Sequence, residues 1–567
     1  MKNMLATKTL CGVLAAAAFT VLAVGSVGSS ANAATLWWDN NGGTLNSWGD
    51  VNNWSTTVGG GSTPGAIPGA SDVATFSATP IVGTAQTVNL NDNRSVQGIN
   101  IASTVTQNIF LQGGGNIRTL TIGADGVTNA SNGAGSVQIG LAGSITQNVN
   151  LTLNGSQSWA NNGTQPIRVR GAVTGIGSPT LTNNGTGTGG VLFTSPEGIN
   201  STVNKFVQDS ATSILSLRAG SNIANTFSGG VEVRQGTLQF GNADSNLGTG
   251  TLTLGVNGGT GAVTALTTDN SNRSFANPIV LATGHTGTIT IQLTEDQVGV
   301  SHSKTFTGGI TGTNSFTIQN NGGDDTLTFS TNAINNIGTI THTGTATTGV
   351  TTINAVIGSN VTGLTQSGPA RLVLNGNNAF TGPTTINGGT LTLGATGALA
   401  SSPISVGLGG TFNVSAKSGF SLASGQTLGG LGTLVGATTF APGSLLAFDP
   451  TGPLVAQNTL TFSSFGISSL ANVNWGSLNL DSPYTLIDGV QDFASAGLNN
   501  FGEVNKFNVG GGREAYFQAG GVGGTALQLV VVPEPAGIAL AGLGVAAAAW
   551  GFRRRVRRDE PTAAARS

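Results

Sequence analysis

An all-β solenoid is the fold class this sequence predicts, and three observations carry the prediction. Apolar residues alternate with Thr or Asn over many short segments, among them Thr119-Leu120-Thr121-Ile122, Thr251-Leu252-Thr253-Leu254 and Thr390-Leu391-Thr392-Leu393. A period of two is that of a strand with one buried face. Glycine supplies 90 of the 567 residues, and with Asn and Asp it punctuates these segments where a turn needs a positive φ. A unit of strand, tight glycine turn and strand also recurs without a gap. Asn225-Thr226-Phe227-Ser228-Gly229 through Gly236-Thr237-Leu238-Gln239-Phe240-Gly241 overlies Asn378-Ala379-Phe380-Thr381-Gly382 through Gly389-Thr390-Leu391-Thr392-Leu393-Gly394. One such unit cannot bury its apolar side alone, so neighbours must stack.

Residues 1–33 read as an export signal: Lys2 and Lys8, an apolar run from Leu10 to Val24, and a cleavage site at Ala31-Asn32-Ala33. The single cysteine, Cys11, falls inside this segment, so a mature chain has neither disulfides nor cysteine metal sites. Residues 34–200 are expected to hold an N-terminal cap and the first coils. Trp37, Trp38, Trp48 and Trp54 crowd its start although the whole chain has 7 tryptophans. Such aromatic bulk can seal the first coil of a solenoid; its alternative use is to stack indole faces on sugar rings as glycan contacts. Residues 201–455 carry the two sharp repeat copies, with a diffuse stretch over 260–365, and 456–532 form a C-terminal β region. The last segment, 533–567, joins Pro533-Glu534-Pro535 to an apolar run from Ala536 to Phe552 and then to Arg553, Arg554, Arg555, Arg557 and Arg558. The run is just long enough to span a bilayer, and the arginines hold its end in the cytoplasm.

Charge narrows the function classes. Charged residues are 8% of the chain, against roughly 25% in an ordinary soluble domain, so a conventional enzyme surface is not expected. Six of the 21 basic residues lie at the extreme C-terminus. The stretch between the two terminal signals has no basic stripe, which excludes nucleic acid as a partner.

Two resemblances follow from these residues. The tail of Pro-Glu-Pro, apolar run and arginine cluster resembles the PEP-CTERM sorting signal of Gram-negative bacteria that make extracellular polysaccharide. That resemblance implies recognition and cleavage near the motif by exosortase, a membrane cysteine protease, after a transient anchoring in the inner membrane. The repeat, with its Asn-x-Phe-[Thr/Ser]-Gly start and Gly-Thr-Leu-x-[Leu/Phe]-Gly close, resembles the autotransporter-associated β-strand repeat. Flanking pieces agree, from Trp37-Trp38-Asp39 with Asn53-Trp54 at the start to Gly432-Thr433-Leu434 with Ala441-Pro442-Gly443 near the close. The family implies a right-handed parallel β-helix. Autotransporters add an outer-membrane barrel for which no room is left after residue 450, so the sorting tail is expected to stand in its place. Coils of about 20–25 residues stacked at about 4.8 Å give an expected rod on the order of 100 Å.

The function expected is that of an exported structural or adhesin-like rod of the cell surface or extracellular matrix, without cofactor or metal, in contact with extracellular polysaccharide. Two alternatives use other residues. A polysaccharide-acting enzyme would draw on Glu295-Asp296, Asp324-Asp325, His285, His302, His342, Lys304 and Arg273, although no nucleophile and base stand at a recognisable spacing. A glycan-binding module would use the four N-terminal tryptophans. Gly322-Gly323-Asp324-Asp325 is similar to the turns of calcium-binding β-rolls, but a lone copy supplies too few oxygens and reads as an ordinary turn.

Overall fold

The computed structural model describes residues 34–534, apart from 43, 78–84, 132–134, 142–147, 221 and 295–298. The export signal with Ala31 and Ala33, and the tail from Pro535 with its apolar run and Arg553, Arg554 and Arg555, lie outside the described residues. No helix among the described residues is long and apolar enough to cross a membrane.

Between the two ends, the strands pair in parallel with those of the next coil. Thr35–Trp38 lies beside Val73–Phe76, which lies beside Gly98 to Ile101 of the following turn. The pattern continues through about 16 turns of an all-β solenoid. A 30-stranded sheet wraps two faces, and a 13-stranded sheet beginning at Arg273–Phe275 forms another over the later coils. Pairing passes residue 200 without a break, because Thr180–Asn183 is in register with Lys205 to Gln208.

The period of two is visible in the packing. In Ile289–Thr294 the isoleucines and Leu293 point inward while Thr290, Gln292 and Thr294 are half-exposed. Inward aromatics stack at the spacing of the strands: ring centroids of Phe240, Phe275, Phe306 and Phe329 follow one another at 4.9, 5.3 and 5.4 Å. The glycine of the recurring Gly-Thr-Leu is fixed by a close approach of coils. Gly236 has φ +78 and a Cβ there would lie 1.8 Å from the Ser210 carbonyl oxygen; its counterpart Gly389 has φ +62 and would meet the Gly368 oxygen at 2.2 Å.

Both ends are closed by antiparallel strands. Trp54–Ser55 folds back on Trp37 and Trp38 at the start. At the other end Pro483–Asp488, Ala526–Pro533, Arg513–Gly520 and Phe507–Gly510 form an antiparallel sheet on the last coil. About 16 turns at about 4.8 Å stack to roughly 75 Å, a rod shorter than expected, and the C-terminal β region leaves the coil path to build this closing sheet.

Candidate functional surfaces

The tryptophans come together as a core. Trp38, Trp48 and Trp54 have 0% of their surface exposed, and Trp37 is half-buried. Trp54 sits between the others, with ring centroids 5.0 Å from Trp38 and 4.8 Å from Trp48, both edge-on, and its Nε1 donates to the Trp48 carbonyl at 2.9 Å. Complete burial corrects the glycan-contact role for Trp38, Trp48 and Trp54, since a sugar ring has no indole face to reach. These three side chains seal the first coil.

The described charged and histidine residues of the enzyme alternative do not share one place. Arg273, Lys304, His302 and Asp325 meet at one corner, because Arg273 and Lys304 are register partners on successive coils. Lys304 is fully buried and its Nζ donates to the carbonyls of Asp269 and Ser271 at 2.7 and 2.6 Å. Arg273 Nε is paired with the Asp269 carboxylate. Asp325 Oδ1 accepts the His302 backbone N–H at 2.7 Å and lies 3.5 Å from its Nδ1. Burial pushes the Asp325 carboxyl up, opposed by that backbone hydrogen bond and by the charges of Lys304 and His302. Asp324 points elsewhere and pairs with Thr348. His285 lies buried against Gly255 and Gly259. Glu295 and Asp296 are outside the described residues. Among the described residues no group of three or more His, Cys, Asp or Glu is arranged to hold a metal ion.

His342 occupies a separate environment, inside the solenoid. Asn129 with Asn161 and Asn183 with Gln208 form interior amide rungs at 2.9 and 2.7 Å, and His342 is a rung of the same kind, its Nδ1 2.6 Å from Gln366 Oε1. The Gln366 amide nitrogen is committed to the Ala370 and Gly368 carbonyls, so Oε1 accepts and Nδ1 carries the imidazole proton. Burial lowers the His342 pKa to about 4, against a smaller opposing effect of the Gln366 bond. A histidine held neutral by the fold gives stability above its unfolded value near 6.5 that is lost as pH falls toward about 4. The loss amounts to about 3 kcal/mol by linkage. Urea unfolding of wild type and His342→Gln between pH 7 and 4 should show that slope shallower in the variant; parallel slopes would remove His342 as its source.

Outside, the stacking creates a surface that the sequence displays only as scattered Thr-x pairs. Thr237, Thr264, Thr290, Thr317, Thr341, Thr365, Thr385 and Ser405 are consecutive register partners. They form an eight-rung hydroxyl column about 34 Å long at the usual strand spacing. The strand segments that carry it, from Gly236 onward, contain no Asp, Glu, Lys or Arg. A shorter column, Ser274, Thr305, Thr328 and Thr352, runs on the 13-stranded sheet. The signal in the sequence was a Thr or Ser one residue before an inward residue, apolar except at His342 and Gln366, recurring every 20 to 27 residues; uneven coil lengths hid it.

On an earlier part of the same wall, Arg168, Arg218, Ser216, Gln239 and Asn242 line a depression of about 330 Å³. Arg218 Nη2 donates to Asn242 Oδ1 at 3.0 Å. At the far end, Pro533 and Glu534 of the Pro-Glu-Pro motif are joined to the closing sheet, while Pro535 is outside the described residues.

The passenger-associated-transport-repeat family matches residues 212–240 and 364–393, and the PEP-CTERM protein-sorting motif matches residues 531–555. The first match takes in Thr237 and the second Thr365 and Thr385 of the hydroxyl column. The chain is 33% identical over 174 residues to the adhesin BmaC autotransporter of Brucella suis biovar 1 (strain 1330). That alignment takes in 30% of this chain and 4% of the length of the relative. No solved structure matches the chain. The chain thus carries two stretches similar to the passenger-associated-transport repeat and, at 531–555, a PEP-CTERM protein-sorting motif.

Proposed function

We propose that this exported solenoid is an adhesive rod of the cell surface or extracellular matrix, freed from a transient inner-membrane anchor by an exosortase-type protease, and that it holds extracellular polysaccharide. The eight-rung hydroxyl column carries this reading. An uncharged wall of evenly spaced hydroxyls offers paired donors and acceptors to the hydroxyls of an extended neutral glycan. Each contact is weak against water, but rungs on one rigid wall act together. The similarity to an adhesin over 174 residues and the closed ends of the rod support the same role.

The test uses protein recovered from its native host. Mass spectrometry of the membrane and medium fractions reads the termini, and a medium form starting at Ala34 and ending near Pro533 is the expected product. Retention of that form on the host's own polysaccharide is then compared with a Thr290→Val, Thr317→Val, Thr341→Val variant, which keeps β-branched packing and removes three hydroxyls. Binding should fall roughly tenfold, in line with the loss of three hydrogen bonds of modest net worth. Unchanged retention would overturn the role of the wall, and turnover of the polysaccharide would replace adhesion by catalysis.

A further inference from the structure

The strand that closes the C-terminal end runs directly into the sorting motif. Ala526–Pro533 pairs antiparallel with Arg513–Gly520, and the pairing extends to Arg513 opposite Pro533. One residue further, the Glu534 N–H donates to the Gly512 carbonyl at 2.9 Å, and Asn508 Nδ2 donates to Glu534 Oε1. The partner is a hairpin of Phe507–Gly510 and Arg513–Gly520. Its turn, Gly510, Gly511 and Gly512, has φ +82, +65 and +72, a path open to glycine alone at such length. The hairpin is anchored from behind, where Arg513 Nη1 donates to the carbonyls of Trp475 and Leu478 at 2.8 and 2.7 Å.

Two of the three motif residues are therefore held by the fold rather than displayed beyond it. A protease that reads a peptide in extended form takes it as an added strand, through the same backbone groups and the side chains beside them. Here the Glu534 N–H and carboxylate already have partners. Fold and protease compete for the same atoms.

We propose that the hairpin Phe507 to Gly520 is a clasp on the sorting motif, so that the processing protease acts only on chains whose last strand has been released from it. The inference rests on the reading that the motif is cut. Processing is then slow on the closed form and faster wherever the clasp is loosened, which ties the moment of release from the membrane to the state of the closing sheet.

The test follows processing of the full-length chain in its native host by pulse-chase and intact mass. Asn508→Ala removes the side-chain bond to Glu534 and leaves the motif untouched. Its cut should be about threefold faster, the size expected for one exposed bond to a charged group. The double variant Glu514→Cys, Val532→Cys joins register partners outside the motif, and Cys11 is the only native cysteine. In an oxidising exterior this pair locks the strand. Its oxidised form, separated on a non-reducing gel, should be cut roughly tenfold more slowly, and dithiothreitol should restore the rate. A locked chain cut at the wild-type rate, or Asn508→Ala cut no faster than wild type, overturns the clasp. A wild type that is never cut, with peptides from 535–558 retained in the membrane, overturns the cleavage reading and the clasp with it.

Discussion

Trp54→Ala is expected to unseal the N-terminal end of the solenoid at a cost of about 3–5 kcal/mol, the range for deleting a buried aromatic ring. Trp54 is the centre of its cluster, touching Trp38, Trp48 and Phe76 with ring centroids at 5.0, 4.8 and 6.1 Å. The loss should stay local. In a stack where each coil touches only its neighbours, removing the cap frays the adjoining coils before the distant ones. Hydrogen exchange should therefore speed up by about two to three orders of magnitude in Thr35–Trp38, Val73–Phe76 and Arg94–Ile101. Strands such as Thr384–Ile386 should exchange as before. Trp37→Ala, at a half-buried outward position, is the matched control and should change exchange less than tenfold. Equal effects of the two variants would show that the cluster does not seal the end.

How far such residues could be read in advance depends on whether their environment is local. Alternation fixes which side of a strand faces inward, so the interior places of Leu120, Leu252 and Leu391 were legible, as was the stacking of each repeat copy on neighbouring coils. The cap was legible for a similar reason, since four tryptophans in eighteen positions have few uses in a chain this poor in aromatics. What the sequence hid are relations set by coil length. His342 lies in a Thr-rich strand and was weighed as a catalytic or exposed histidine; only the register that brings it against Gln366 makes it a buried rung. The hydroxyl column escaped notice because its members lie 20 to 27 residues apart at unequal intervals. The hold on Glu534 comes from Asn508, 26 residues away, through a hairpin whose antiparallel direction nothing in the parallel pattern announces.

The corner around Lys304 gives the other large effect, one that also separates a structural charge cluster from a catalytic one. Lys304→Met keeps the length of the side chain and removes its charge. The carbonyls of Asp269 and Ser271, which Lys304 Nζ serves at 2.7 and 2.6 Å, lose that donor, and Asp325, 1% exposed, loses the positive charge that opposes its desolvation. Breaking a buried ionic group in this way costs about 3–5 kcal/mol. The pH dependence identifies the cause. Asp325 is already raised above its ordinary value by burial, so its folded carboxylate is a burden above the raised pKa and is relieved as protonation sets in below it. Without Lys304 the carboxyl rises further. The deficit of Lys304→Met against wild type should therefore be full at neutral pH and shrink as pH falls toward the unfolded carboxyl value near 4. Denaturant unfolding of both proteins at pH 7 and pH 4.5 measures it. A deficit of the same size at both values would mean that Lys304 stabilises through the two carbonyls alone, and that its charge and Asp325 are not coupled across the coils.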